Sequence, residues 1–196
     1  MDGNRVIVGI SGASGAIYGL RCLDALRAAG VETHLVVSRA GEMTLRTECG
    51  LSLRDIEPRC DHLHAARNVG AAIASGSFRT RGMIVAPCSI RSLSEIATGV
   101  TAGLLTRAAD VVLKERRRLV LMVRESPLHL GHLRSMAAAA ELGAVIAPPV
   151  PAFYTRPETL DDIVDHSVGR VLDLFGIDAP IRRWAGMGLS PPPKSP

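Results

Sequence analysis

The chain has 196 residues, of which 47% are hydrophobic and only 3% aromatic, and its formal net charge is +4. This length suits one domain, and the apolar fraction is enough to build a full core, which excludes a disordered polymer. So few aromatic side chains leave no stacking platform for single-stranded nucleic acid, and no zinc-finger or basic-zipper pattern appears. The composition therefore argues against a nucleic-acid-binding protein.

The four cysteines, Cys22, Cys49, Cys60 and Cys88, are scattered and form no C-x-x-C pair. This spacing predicts free thiols in a reducing compartment rather than a disulfide framework. The N-terminal residues lead directly into a short strand and lack the apolar region of a signal peptide, and no stretch is long enough to span a bilayer. We therefore expect a cytoplasmic protein that does not bind membranes.

Short apolar runs alternate with helical patterns along most of the chain. The runs predict strands at Val6–Ile10, Thr33–Val37, Gly82–Ala86, Leu119–Val123 and Ala144–Ala147. Helices are predicted over Ala16–Ala29, from Ser38 to Thr47, and over Leu93–Gly99, Leu104–Glu115, Leu130–Leu142 and Leu160–Phe175. The segment 51–78 has no clear pattern, and we interpret Asn68–Phe78 as an irregular loop.

Strands separated by single helices predict an α/β fold with one doubly wound, Rossmann-like (flavodoxin-like) sheet. The sheet is expected to be mostly parallel, with helices on both faces. We assign residues 1–185 to this single domain and expect the Pro-rich segment 186–196 to be disordered. In such folds, ligands bind at the carboxyl ends of the strands, near the point where the strand order reverses.

The turn after the first predicted strand, Gly9–Gly15, is rich in glycine and serine. Glycines let the backbone approach a phosphate closely, and the helix that follows offers free N–H groups. The spacing is not the G-x-G-x-x-G dinucleotide fingerprint, and Ser38, not an acidic residue, follows the second strand. We therefore predict a mononucleotide rather than a dinucleotide ligand.

A second polar turn, Pro87–Leu93, again joins a strand to a helix, and its serines are suited to bonding the polar edge of a ring system. Farther along, Arg124-Glu125 directly follows an apolar strand, at the edge where ligands bind. Other cations recur at strand or helix ends. This pattern predicts a second anion beside the first phosphate.

Glu48 ends the second predicted helix, where a carboxylate opposes the helix dipole. We interpret this unfavourable placement as a sign of a functional role. The pairs His62–His64 and His129–His132 have no carboxylate or thiolate near them at ligand spacing, so no metal site is predicted.

These motifs resemble the UbiX family of flavin prenyltransferases, within the wider group of FMN-binding, decarboxylase-like flavoproteins. The most specific matching block is Arg107–Leu128. Shorter matches are Gly9–Gly19, Ala72–Phe78, Pro87–Ser89, Ala147–Pro149, Phe153–Tyr154 and the ending from Arg170 to Trp184. The similarity covers nearly the whole chain apart from residues 54–67 and the C-terminal segment.

The resemblance implies that reduced FMN is a substrate. A dimethylallyl group from a prenyl phosphate, such as dimethylallyl phosphate, is joined to flavin N5 and C6 without a metal, and the prenylated FMN passes to a UbiD-type decarboxylase. It also implies a homo-oligomer, a dodecamer. The implied FMN contacts are Gly12, Ala13, Ser14, Ser38, Ser89, Ile90, Arg91, Ser92 and Arg124.

The same resemblance assigns six residues to the prenyl phosphate: Arg107, from a neighbouring subunit, with Lys114, Arg124, Glu125, Tyr154 and Arg170. Glu48 would move the proton during ring closure, and Trp184 would cover the site. The implied catalytic set is Glu48, Arg107, Lys114, Arg124, Glu125 and Trp184.

Two alternatives remain open from the sequence. An FMN-dependent cysteine decarboxylase would use a histidine from the middle region, such as His62 or His64, but its Pro-x-Met-Asn-x-x-Met motif is absent. A non-catalytic carrier or maturation factor for native or modified flavin is suggested by Arg91 and Ala102-Gly103, which depart from the usual pattern of the family.

Overall fold

The computed structural model describes residues 3–186, and its strands form one six-stranded sheet. In chain order the strands are β1 Arg5–Ile10, β2 Glu32–Val37, β3 His62–His64, β4 Gly82–Cys88, β5 Arg118–Val123 and β6 Ala144–Ile146. All neighbours are parallel, in the spatial order β3-β2-β1-β4-β5-β6. Without the short edge strand β3, this is the strand order of flavodoxin, so the predicted fold class is confirmed.

Within residues 3–186, seven α-helices connect and cover the strands. They are α1 Ala16–Ala28, α2 Arg39–Cys49, α3 Leu53–Ile56, α4 Ile90–Thr98, α5 Leu104–Lys114, α6 Leu130–Glu141 and α7 Leu160–Asp173. Two apolar cores lie on opposite faces of the sheet, one containing side chains of α1 and α7 and the other side chains of α4 and α5. Among the described residues, no helix is both long enough and apolar enough to cross a membrane.

The predicted strands and most of the predicted helices agree with the structure to within about two residues at each end. The largest difference is α4, which was expected to begin at Leu93 but begins at Ile90. The Ser89 hydroxyl accepts a hydrogen bond from the Ser92 N–H at 3.2 Å, which caps the helix one turn earlier. The predicted disordered segment lies almost wholly outside the described residues.

The segment 51–78, which had no clear pattern in sequence, contains α3 and the edge strand β3. The Asp61 carboxylate accepts hydrogen bonds from the Thr33 N–H at 2.7 Å and from the Thr33 hydroxyl at 2.9 Å, which fastens the start of β3 to β2. A strand of three residues is too short for its alternation to be recognised without its neighbour. The stretch 68–78 is mostly irregular, as expected, apart from one turn of 3₁₀-helix at Ala72–Ala74.

Candidate active site at the carboxyl edge of the sheet

The loops that follow β1, β2, β4 and β5 meet at the carboxyl edge of the sheet. The strand order reverses between β1 and β4, so the predicted phosphate turn and the second polar turn are neighbours there. Backbone hydrogen bonds join the loops in pairs: the Ser38 N–H donates to the Ile10 carbonyl, and the Arg124 N–H donates to the Cys88 carbonyl. The four predicted segments therefore form one continuous surface at the switch point.

Ser11 links the two central loops. Its side chain is fully buried, and its hydroxyl donates to the Pro87 carbonyl at 2.8 Å while accepting from the Ser89 N–H at 2.7 Å. Both partners are backbone groups of the loop after β4, and the Ser11 N–H also donates to the Pro87 carbonyl at 3.2 Å, so Ser11 fastens the two polar turns together. Sequence reasoning assigned no role to Ser11. The only available signal was a small polar residue directly after a buried strand.

We expect Ser11→Ala to lower the free energy of unfolding by about 1–3 kcal/mol, because the Ser89 N–H loses its buried acceptor, whereas the Pro87 carbonyl keeps the Ser11 N–H. Urea denaturation followed by circular dichroism measures this change. Ser77→Ala is the matched control, because the Ser77 hydroxyl bonds only the exposed Ser75 hydroxyl. Equal stabilities of the two variants would contradict a structural role for Ser11.

Glycines allow the loop after β1 and the start of α2 to touch. A Cβ built on Gly12 would overlap the Cβ of Ala40, and one built on Gly41 would lie 2.5 Å from the Ile10 carbonyl oxygen. No side chain fits at either position without displacing backbone. The close approach brings Ser38, the N-cap of α2, next to the glycine-rich turn.

A cavity of about 330 Å³ opens beside these loops, a size typical of small-molecule sites. It brings together four of the predicted FMN contacts, Ser38, Ser89, Arg91 and Ser92. Arg67, from the unpatterned middle segment, and Glu95 also line it, and sequence reasoning did not select them. Arg91 is highly exposed and pairs with Glu95 at 2.9 Å.

The serine hydroxyls at this cavity already have partners within the chain. Ser38 accepts from the Gly41 N–H at 3.0 Å and caps α2, and the Ser89 hydroxyl lies 3.2 Å from that of Ser92. Each hydroxyl oxygen can accept a second hydrogen bond, and each hydroxyl group can rotate to point its proton at a different acceptor. These groups can therefore cap helices and bond a ligand at the same time.

The unfavourable placement of Glu48 that was expected from the sequence is wrong. Its carboxylate does not simply oppose the dipole of α2, because Oε2 accepts hydrogen bonds from the Gly15 N–H at 2.8 Å and the Ala16 N–H at 3.0 Å. Those amides begin α1, where a negative charge is favourable. The placement is therefore stabilising and is not by itself a sign of catalysis.

The pKa of Glu48 lies below its usual value. Partial burial acts to raise it, but hydrogen bonds from the Ser14 side chain and from the Gly15 and Ala16 amides, together with the positive charge of Arg124, outweigh that effect. The side chain is thus a carboxylate at neutral pH and can accept a proton. It touches the glycine-rich turn directly, beside the predicted FMN contacts.

Two of the residues predicted to bind the prenyl phosphate, Tyr154 and Arg170, share a second cavity of about 380 Å³. His166 lines it as well, with its Nε2 3.3 Å from the Tyr154 hydroxyl. The Trp184 ring lies edge-on to the Tyr154 ring, with centroids 5.6 Å apart, and remains 55% exposed. Sequence reasoning missed His166, which only the packing of α7 places beside the tyrosine.

The remaining predicted residues are dispersed on the single chain. Arg107 and Lys114 both lie on α5, paired with Asp110 at 2.6 Å and Glu115 at 2.5 Å, and neither lines the two cavities described above. Lys114 ends α5, on the side where β5 begins, away from the carboxyl edge. Glu125 is exposed after β5.

The sequence of the chain is similar to those of known flavoproteins. The Flavoprotein family matches residues 1–172. The flavin prenyltransferase UbiX of Escherichia coli K12 is 60% identical over 186 residues, which cover 93% of this chain and 98% of that protein. The UbiX of Thauera aromatica is 57% identical over 183 residues, covering 93% and 94%. The chain belongs to the UbiX family of flavin prenyltransferases.

Solved UbiX structures have the same fold. AnUbiX in complex with FMN and dimethylallyl pyrophosphate superposes with a TM-score of 0.91 at 47% identity, covering 93% of this chain and 97% of the other. A dodecameric, FMN-dependent UbiX-like decarboxylase from Escherichia coli O157:H7 gives 0.90 at 51% identity, covering 93% and 100%. A cysteine decarboxylase from thioviridamide biosynthesis, at 17% identity and 0.61, shares the fold alone.

Proposed function

We propose that the chain is a metal-independent flavin prenyltransferase, which joins a dimethylallyl group from a prenyl phosphate to N5 and C6 of reduced FMN and releases prenylated FMN. The observation that carries the proposal is the cavity at the switch point. Predicted FMN contacts from two separate loops, those after β2 and β4, line it in a chain 60% identical to a UbiX prenyltransferase. Ligands of doubly wound folds bind at this edge.

The flavin is assigned to the carboxyl-edge cavity. Gly12, Ala13 and Ser14 would hold it from the loop after β1, and Ser38 from the start of α2. Ser89, Ile90, Arg91, Ser92 and Arg124 would surround the ring system. The support is the close backbone approach at Gly12 and the free second acceptor sites of the serine hydroxyls. A bulkier turn would push the start of α2 and Ser38 away from the glycine-rich turn.

The prenyl group reacts when its carbon–oxygen bond breaks. The electron pair leaves with the phosphate, and the N5 lone pair forms the new carbon–nitrogen bond. Negative charge therefore develops on the bridging oxygen, and positioned cations stabilise it. Each such donor can contribute about 3 kcal/mol in a water-poor site. The proposed donors and partners are Arg107, Lys114, Arg124, Glu125, Tyr154 and Arg170.

We assign Arg107 and Lys114 to the site of a neighbouring subunit. Both lie outside the two cavities of their own chain, and both are close to solvent on α5. A homo-oligomer, as in the dodecameric UbiX-like neighbour, would bring them to an interface. This extends the sequence expectation, which assigned only Arg107 to a neighbour.

Glu48 is proposed to move the proton during ring closure onto C6. Its lowered pKa keeps it ionised, and the N–H groups that hold it aim its carboxylate at the glycine-rich turn. Trp184 is proposed to cover the prenyl group and exclude water from the allylic cation. The edge contact between Trp184 and Tyr154 supports this assignment.

The product is proposed to pass to a UbiD-type decarboxylase, and the chain is proposed to act in the cytoplasm as a dodecamer. Four free cysteines, three of them buried, suit a reducing compartment. A modified flavin that this chain makes but does not use needs a recipient enzyme.

The test is anaerobic incubation of the purified protein with reduced FMN and dimethylallyl phosphate, followed by mass spectrometry of the released flavin. A parallel arm uses the diphosphate, and a third omits the prenyl donor. We expect the flavin to gain one five-carbon unit in at least one donor arm and none in the third. Unmodified flavin in every arm would refute the proposed reaction, and tight retention of that flavin would favour a carrier instead.

A further inference from the structure

Four polar side chains gather on one face of the sheet, away from the flavin cavity. Glu32 and His34 are two residues apart on β2, and His62 and His64 are two residues apart on β3, so each pair points to one side of its strand. The strand register sets His34 opposite His62. We call this group the β2–β3 cluster.

The distances within the cluster match those between ligands of one metal ion. The Nε2 atom of His34 lies 2.9 Å from Oε1 of Glu32, and the Nε2 atom of His62 lies 3.4 Å from the same oxygen. One ligand atom from each of the three residues lies within 4.8 Å of the others. Zinc bonds nitrogen and oxygen at about 2.0–2.2 Å, so tetrahedral ligand atoms are about 3.3–3.6 Å apart. Small rotations of the side chains would reach that arrangement.

His34 and Glu32 each have a second polar atom that does not face the proposed ion, and that atom already has a partner. The Nδ1 atom of His34 lies 3.0 Å from Nε2 of His64, so a second partner orients the imidazole ring, and a metal would displace the Nε2 proton that Glu32 accepts. Oε2 of Glu32 accepts a hydrogen bond from Nε of Arg5 at 3.1 Å, so Oε1 is the oxygen that faces the imidazoles. Second partners of this kind orient the ligands of known metal sites.

The cluster is also open to an ion. The side chain of His34 is only 4% exposed, whereas that of His62 is 54% exposed and that of Glu32 is 35% exposed. The site therefore has a buried inner ligand and an outer side that water can reach. Two histidines and one carboxylate leave a coordination position for water, as in zinc sites with three protein ligands.

We propose that Glu32, His34 and His62 bind one divalent transition-metal ion of the zinc class, with water completing the coordination. The ion would fasten the three-residue edge strand β3 to β2. Glu32 begins β2, whereas Ser38 follows its last residue, so this ion is separate from the flavin chemistry. Sequence spacing alone missed the site because the carboxylate and His62 are thirty positions apart.

The test uses the untagged full chain, freed of metal with a chelator and titrated with Zn²⁺ against a chromophoric competitor. We expect one Zn²⁺ per chain. His62→Ala and Glu32→Gln should each weaken binding by about tenfold or more, because each removes one of three ligands. His132→Ala is the matched control, because it disrupts the other close histidine pair, formed by His132 on α6 and the N-cap residue His129, and should bind as the unchanged chain does.

Binding of Co²⁺ provides a second readout that does not depend on the variants. Nitrogen and oxygen ligands give visible bands without the sulfur-to-metal charge transfer of a thiolate site. Circular dichroism of each variant checks that it is folded. The proposal is overturned by the absence of saturable binding at one ion per chain, by unchanged affinity in His62→Ala, by loss of binding in His132→Ala, or by a thiolate band.

Discussion

Glu48→Gln is expected to retain FMN binding and to lower the rate of prenylated-flavin formation by at least about 10²-fold. General acid–base groups contribute about 10²–10⁴-fold to rates, and glutamine cannot accept the proton. The amide oxygen of glutamine can still accept a hydrogen bond from the Gly15 or Ala16 N–H, so the start of α1 is preserved. FMN titration by fluorescence and single-turnover mass spectrometry measure the two quantities.

The design separates catalysis from helix capping. Glu48→Ala removes both the proton acceptor and the cap, whereas Glu48→Gln removes mainly the former. Glu42→Gln, a change of the same type in the first turn of α2, is the matched control and should keep full activity. Full product formation by Glu48→Gln would show that the carboxylate only stabilises α1, which is the role that the hydrogen bonds alone explain.

Gly12→Ala is expected to weaken FMN binding by about tenfold or more while leaving the chain folded. The added Cβ would overlap the Cβ of Ala40, so the start of α2 and Ser38 must move away from the glycine-rich turn. Overpacking of this kind costs about 1–3 kcal/mol, and a tenfold change in affinity corresponds to about 1.4 kcal/mol. Isothermal titration with FMN measures the loss.

Gly70→Ala is the control for this variant. A Cβ at Gly70 would meet only the Asn68 side-chain oxygen at 3.5 Å, an ordinary contact. It should bind FMN as the unchanged chain does. Unaltered FMN affinity in Gly12→Ala would mean that the junction between the turn and α2 is not part of the flavin site.

Much of the fold follows from local pattern. β1, β4 and β5 are buried on both faces, so each appears in sequence as a largely apolar run, as does the second half of β2, and each ends where a polar or glycine-rich turn begins. Parallel strands then bring those turns to one edge whatever their separation along the chain. For this reason the cavity lined by Ser38, Ser89 and Ser92 could be predicted from residue types and position alone.

Two features of the site required the packed structure. Glu48 appears unfavourable on its own helix, and only the packing of α2 against the loop after β1 shows that it caps α1. His166 meets Tyr154 because α7 packs beside the irregular segment after β6. The proposed contacts of Arg107 and Lys114 depend on another subunit, so neither the sequence nor the single chain shows them.

By itself, the sequence determined the doubly wound α/β class, the polar turns at the carboxyl edge of the sheet and the membership of the UbiX family. These depend on periodicity and on short motifs, which are properties of neighbouring residues. Only the tertiary structure decided which distant groups touch, such as Glu32 and His62. The reason is physical: strand order and register set contacts between segments far apart in the chain, and a three-residue edge strand such as β3 acquires its place from β2 rather than from its own pattern.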